Sequence, residues 1–309
     1  MSLKTGETTE EGFGATADAP RAARGASAQP EGEASFPGVP HVLIRSEESG
    51  VQLNLADIWA YRELLYFLAW RDIKVRYKQT LIGVAWVIVQ PLMMMLIFTL
   101  VFNRFARLDT GELPYPLFAY SGLLVWAFFS TAVTSGTNSL IGNTSLVTKV
   151  YFPRAFIPAA AVAAGLVDLA VGSLLLVALD AYYRVHVTWG VLLLPGFVLL
   201  ATAMALGAGM LASALTVKYR DLRHVLPFIL QVWMFASPVI YPPGAVPQGW
   251  RWLLAFNPMT GVLEGFRAAL AGLPFVWTHV AVSAVSAAAL LMCAYYVFRR
   301  LEDTFADVI

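Results

Sequence analysis

The chain has 309 residues, of which 58% are hydrophobic and 13% charged, with a mean hydropathy of +0.65 and a formal net charge of +1. That balance excludes a soluble domain of this length and marks a polytopic membrane protein. The small net charge hides an uneven layout, because residues 1–50 hold eight acids against four bases. The single cysteine, Cys293, sits in an apolar run, which excludes an intrachain disulfide and a thiolate metal site.

Residues 1–56 are rich in Ala, Gly, Glu and Pro and lack the apolar core and small-residue cleavage pattern of a signal peptide. They are expected to form a disordered cytoplasmic tail. From Asp57 to Thr80 the chain carries Trp59, Leu64, Leu65, Phe67, Leu68 and Trp70 ahead of the basic run RDIKVRYKQT, Arg71–Thr80. This composition suits a helix lying along the inner membrane interface. A cytoplasmic extension of the first span is the alternative. Charge-poor runs long enough to cross a bilayer follow at about 81–102, 115–135, 156–179, 191–216 and 276–298. Residues 225–241 form a shorter run, interrupted by Pro227 and Pro238, and are counted as a further crossing.

The segment 253–273 is not counted, since it places Glu264 and Arg267 at i, i+3 spacing and is broken by Asn257-Pro258 and Pro274. Two ions near mid-depth would cost several kcal/mol. Asn257 as N-cap and Pro258 as first helical residue instead predict a short helix that dips into the outer leaflet. The expected fold is therefore all-α and polytopic, with six transmembrane helices, an N-terminal interface helix and both termini cytoplasmic. In that arrangement Arg71, Lys74, Arg76, Lys78, Lys149, Arg154, Lys218, Arg220, Arg223, Arg299 and Arg300 face inward, and only Arg104, Arg107, Arg184, Arg251 and Arg267 face outward. The distribution obeys the positive-inside rule; a seventh span would send Arg299 and Arg300 outside.

No lysine follows a glycine, so the chain has no phosphate-binding loop of the nucleotide-hydrolysing kind. His41, His186, His224 and His279 lack metal-ligand spacing. Neither catalysis nor a metal is expected. One acid, Asp168, lies deep in a span, with no complementary cation at mid-depth in another span. It reads equally as a functional carboxylate and as a packed one held by Ser173 or a backbone carbonyl. The loops SLIGNTSLVTKVYFPR (Ser139–Arg154) and KYRDLRH (Lys218–His224) are short and amphipathic, which suits docking onto a partner as well as ordinary positive-inside charge. In the first, Asn143 or Ser145 can cap, Lys149 and Arg154 can pair with acids, and Pro153 can end the turn.

Taken in order, RDIKVRYKQTLIGVAWVIVQPL (Arg71–Leu92), NTSLVTKVYFPR (Asn143–Arg154), VKYRDLRHVLPF (Val217–Phe228), SPVIYP (Ser237–Pro242) and NPMTGVLEGFRAAL (Asn257–Leu270) resemble the permease subunits of type-2 ABC exporters for bacterial polysaccharides. The resemblance covers residues 57–309. It implies a six-span domain whose 57–80 segment is an interface helix and whose Ser237–Gly272 segment forms short re-entrant gating helices between spans five and six. It also implies two copies of the chain working with two ATP-binding cassette subunits that hold ATP and Mg. The cargo would be a lipid-linked O-antigen, capsule or teichoic-acid chain moved across the inner membrane, with no nucleic acid involved.

On that basis Asn143, Lys149, Arg154, Tyr219, Arg220 and Asp221 are expected at the ATPase contact. Arg71, Lys74, Arg76 and Lys78 are placed to meet an anionic diphosphate head group; fixing topology against anionic lipid is their other role. Trp126, Phe128, Phe129, Trp233, Phe235, Tyr241, Trp250 and Trp252 offer flat faces for sugar rings in a channel or outer gate, with Glu264 and Arg267 beside them. An interfacial aromatic belt is the alternative. Two other functions stay open, a type-2 ABC permease for a drug or small lipid and an ATP-independent carrier centred on Asp168.

Overall fold

A computed structural model describes residue 59 and residues 61–78, 83–105, 110–111, 113–149, 152–185, 188–302 and 305. The expected tail lies outside these described residues. The described chain is helical, without a strand. Its α-helices are α1 (Arg62–Lys78), α2 (Gly83–Phe98), α3 (Tyr115–Gly142), α4 (Thr144–Lys149), α5 (Phe156–Tyr183), α6 (Leu194–Lys218), α7 (Leu222–Ala236), α8 (Arg251–Phe256), α9 (Pro258–Ala271) and α10 (Trp277–Glu302). A π-helical stretch, Thr99–Phe105, extends α2.

Five of these helices are long and apolar enough to cross a membrane, and they coincide with the five longer runs read from hydropathy. The run 225–241 behaves differently. Its helix, α7, begins at Leu222 and stops at Ala236 after 15 residues, which is about 22 Å, against a hydrocarbon core of about 30 Å. Pro238 ends it, because the residue before a proline is pushed out of the α region, and Ser237 is extended at φ −106° and ψ 151°.

The centre of the bundle is α3, whose most apolar window is 78% buried, against 11% for the α2 span. It packs on α5 and α6, and α6 packs in turn on α10. Small residues set the approach of α3 to α6, as in helix pairs that associate by backbone contact within a bilayer. A Cβ added to Gly136 would lie 3.2 Å from the Gly209 Cα. Gly136→Ala is therefore expected to push the two helices apart and lower stability by roughly 1–2 kcal/mol, read as a drop in melting temperature of the purified protein. An unchanged melt would show that this crossing tolerates extra volume.

Beyond α7, residues 237–241 run without helical structure, yet residues 237–240 are buried, with Val239 and Ile240 almost fully enclosed. Non-helical backbone in such a place needs partners for its carbonyls. Side chains supply them. Arg267 on α9 donates to the Pro238 carbonyl at 2.6 Å and the Val239 carbonyl at 2.5 Å, and the Tyr115 hydroxyl donates to Ile240 O at 2.8 Å. Asn257 caps α9 as its sequence predicts, accepting from Met259 N at 3.0 Å, and Pro258 is the first helical residue. Gly272, at φ +68°, closes the helix in the left-handed conformation that glycine adopts without penalty.

Candidate functional site

A cavity of ≈ 1010 Å³ opens among α1, α2, α3, α5 and α7. Its walls mix large apolar faces, from Trp86, Trp126 and Phe128, with the amides of Gln90 and Gln231 and the hydroxyls of Ser130, Thr131, Thr134 and Ser135. Those hydroxyls follow from helical spacing: 130 and 134, then 131 and 135, lie four apart on one face of α3. Two of them donate back to their own helix, Ser130 to Ala127 O at 3.2 Å and Thr134 to Ser130 O at 2.7 Å. Their oxygens therefore remain acceptors on the cavity side.

One end of the cavity is charged. Arg76 forms an ion pair with Asp168, and the Tyr77 hydroxyl donates to the other oxygen of the same carboxylate. Arg76 also donates to Ser135 Oγ at 3.3 Å. Among the described residues no other span supplies a cation to Asp168, as expected, but α1 does. Neither Ser173 nor a backbone carbonyl takes that place; Ser173 donates to Leu169 O at 2.7 Å. Burial and the adjacent carboxylate raise the Tyr77 hydroxyl well above its ordinary range, so it stays protonated and acts as a donor.

A second hollow of ≈ 460 Å³ lies at the other end of α7, lined by Trp233, Tyr241, Trp250, Phe256, Asn257 and their apolar neighbours. Its floor is tied to the core. The Trp233 ring meets Trp126 and Phe129 edge-on, with centroids at 5.9 Å and 5.3 Å, and its Nε1 donates to Asn257 Oδ1 at 3.0 Å.

A family model described as ABC-2 type transporter matches residues 63–271, from the start of α1 to the end of α9. This chain belongs to the ABC-2 type transporter family. Within that family it is 32% identical over 257 residues to the O-antigen export system permease protein RfbA of Myxococcus xanthus, a match covering 82% of this chain and 98% of that protein. It is 25% identical over 252 residues to the O-antigen export system permease protein RfbA of Klebsiella pneumoniae, covering 80% and 95%. It is also 24% identical over 211 residues to the polysialic acid transport protein KpsM of Escherichia coli, covering 65% and 78%.

The ABC-2 chain separates the four cations expected to act together. Arg76 alone among them lines the large cavity. Arg71 pairs with Asp72 at 2.8 Å, Lys74 lies 5.4 Å from the centre of the Trp70 ring, and Lys78 is exposed. The aromatic candidates divide as well. Trp126 and Phe128 reach the large cavity, and Trp233, Tyr241 and Trp250 reach the smaller hollow. Phe129 is fully buried in the core, whereas Phe235 and Trp252 are exposed. Glu264 and Arg267 have separate partners: Glu264 meets His279 Nδ1 at 2.5 Å, and Arg267 serves backbone carbonyls.

Of the two loops, α4 presents Lys149 at its exposed end. Asn143 does not cap α4 with its side chain; its Nδ2 donates backward to Ser139 O at 2.8 Å and closes α3. Arg154 is drawn inward by Glu302, whose carboxylate accepts from its backbone N–H at 3.0 Å and whose carbonyl accepts from its guanidinium. Tyr219, Arg220 and Asp221 remain exposed between α6 and α7. Sequence reasoning missed Tyr77, Gln90, Ser135 and Gln231; the paired hydroxyls four apart in an apolar span were the visible signal for Ser135.

Proposed function

We propose that this ABC-2 chain is the membrane-spanning subunit of an ATP-driven exporter that carries a lipid-linked polysaccharide outward across the inner membrane. The similarity to an O-antigen export permease over 98% of that protein's length carries this reading. A separate ATP-binding cassette subunit, present in two copies and holding ATP and Mg, supplies the energy. A second copy of this chain completes the path, and the apolar faces of α2 and α7 that flank the large cavity, with Trp86, Ile97, Phe228 and Val232 exposed, are where it meets the first.

In this arrangement both termini are cytoplasmic, and α7 with residues 237–241 forms the sixth crossing. The 15-residue helix is too short alone, but in its unwound continuation Arg267 and Tyr115 bond the Pro238, Val239 and Ile240 carbonyls while Asn257 holds Ala236 O and Ser237 Oγ, which is how irregular backbone is tolerated at membrane depth. The short helices α8 and α9 then form the outer gate, with the aromatic hollow at its mouth. ATP binding and hydrolysis move α4 and the Tyr219–Asp221 turn, and the motion passes along α6 and α7 to the gate.

The test is a reconstituted exporter whose ATPase rate is followed on adding defined lipid-linked glycans. Stimulation by a glycan on a lipid diphosphate, and not by a small amphiphilic drug, is the expected result; the reverse order would support the drug-permease alternative. Asp221→Ala is expected to weaken binding of the ATPase subunit by about 1 kcal/mol, roughly fivefold in affinity. Unchanged copurification together with unchanged transport would remove Asp221 from the contact.

A further inference from the structure

Among the described residues lining the large cavity, Arg76 is the only base and Asp168 the only acid, and they neutralise each other. Their setting is unusual for a structural brace. Arg76 and Tyr77 are consecutive on α1, where neighbouring side chains diverge by about 100°, yet both reach one carboxylate on α5. That carboxylate joins the end of α1 to the α5 side of the cavity wall. Both ions also stay reachable from the cavity, with the side chains of Arg76 and Asp168 28% and 14% exposed.

A guanidinium held this way has a better partner available. A phosphate or diphosphate carries more charge and more acceptor oxygens than a carboxylate and meets the same planar fork of donors. Ser135 Oγ, 3.3 Å from the guanidinium, holds Arg76 against α3 as well as α5. Arg76 is therefore positioned over the cavity rather than trailing into solvent.

We propose that Arg76 is an exchangeable phosphoanion site: the diphosphate head group of an arriving lipid displaces the Asp168 carboxylate from Arg76, and loss of that ion pair loosens the end of α1 against α5, leaving Tyr77 as the remaining bond to the carboxylate. Asp168 is the internal place-holder, keeping the site closed and neutral while empty. Tyr77 keeps donating to Asp168 after the exchange, so the carboxylate is not left without a partner. The proposal rests on the reading of the cargo as phosphate-linked lipid, and it adds a regulatory step, because occupancy of the cavity is reported to α1 through the Arg76–Asp168 pair.

The sign of one mutational effect separates this role from a brace. Full-length permease in nanodiscs is titrated with inorganic pyrophosphate, with a prenyl diphosphate and with the matching prenyl alcohol, and binding is read from quenching of tryptophan fluorescence. Asp168→Asn, which removes the competing anion, is expected to tighten diphosphate binding about tenfold, and Arg76→Gln to weaken it by at least about as much. The double variant should bind as weakly as Arg76→Gln alone. Weaker or unchanged binding by Asp168→Asn would overturn the exchange.

Prenyl diphosphate binding more tightly than both pyrophosphate and the alcohol supports the lipid head group as the ligand; equal affinity for prenyl diphosphate and free pyrophosphate overturns that assignment. Hydrogen exchange on the unmodified protein needs no variant to fold. Amides around Arg76 at the end of α1 should exchange faster with prenyl diphosphate bound, and unchanged or slower exchange would overturn the loosening of α1. These assays contain no polysaccharide. If they follow the expectation while the reconstituted exporter moves no glycan, the cargo reading falls and the exchange stands; if export proceeds but Asp168→Asn binds no tighter, only the exchange falls.

Discussion

Arg267→Ala is expected to destabilise the protein by about 3–6 kcal/mol and to abolish a monodisperse folded species. The guanidinium is 3% exposed and donates to three carbonyls, those of Phe118, Pro238 and Val239, at 3.2, 2.6 and 2.5 Å. Phe118 O belongs to a helix and has other donors nearby. Pro238 and Val239 do not, because they lie in the unwound segment after α7, where each unsatisfied carbonyl costs about 1–3 kcal/mol. The guanidinium also lies 3.6 Å from the centre of the Phe118 ring, which adds about 0.5–2 kcal/mol.

The site is built around this side chain. Gly122 on α3 leaves the space that the guanidinium and the Val239 carbonyl occupy, and a Cβ there would collide with both. Arg267→Met, which restores much of the volume without the donors, should recover little. The check is melting temperature and size-exclusion profile of the purified variants; a wild-type melt for Arg267→Met would show that packing rather than hydrogen bonding holds residues 237–241.

Hydropathy located the five long helices because lipid-facing stretches must be apolar over their whole length, but it placed their ends short. The run 115–135 extends to Gly142 as α3, since Thr137, Asn138 and Ser139 turn their polar groups back onto the carbonyls of Val133, Thr134 and Gly136 and continue the helix. Polar composition there resembled a loop. Local signals also served well at Asn257-Pro258, where cap and first helical residue are adjacent in the chain and so visible together.

What stayed hidden was every pairing between distant residues. Asp168 meets Arg76 across 92 positions and Arg267 meets Phe118 across 149, and no periodicity encodes either contact. Reading Asp168 against spans alone concealed its partner, which sits on a helix outside them. The four cations of Arg71–Lys78 looked equivalent for the same reason; only the packing of α1 on α5 singles out Arg76.

Asn257→Ala should lower stability by about 2–4 kcal/mol and disturb the proposed gate more than its position in a short turn suggests. Its loss as an N-cap alone would cost about 1 kcal/mol. The side chain does more than cap α9, because its oxygen also accepts from Trp233 Nε1 at 3.0 Å, while its amide donates to Ala236 O at 3.1 Å and Ser237 Oγ at 2.8 Å. One residue thus joins the start of α9 to the last turn of α7 and to the aromatic cluster of Trp126, Phe129 and Trp233. Asn257→Asp separates the two jobs. It keeps an acceptor for Met259 N and Trp233 Nε1 but loses both donated bonds, so it should retain the cap and still loosen α7 from α9. Melting temperature reports the cap, and accessibility of a cysteine placed at Val239, which is fully buried and bonded only through its backbone, to a membrane-impermeant thiol reagent, in a background lacking Cys293, reports the junction. Asn257→Asp with a near-normal melt and increased labelling is the expected outcome. Labelling as low as in the parent would mean that Arg267 and Tyr115 hold the unwound segment without Asn257.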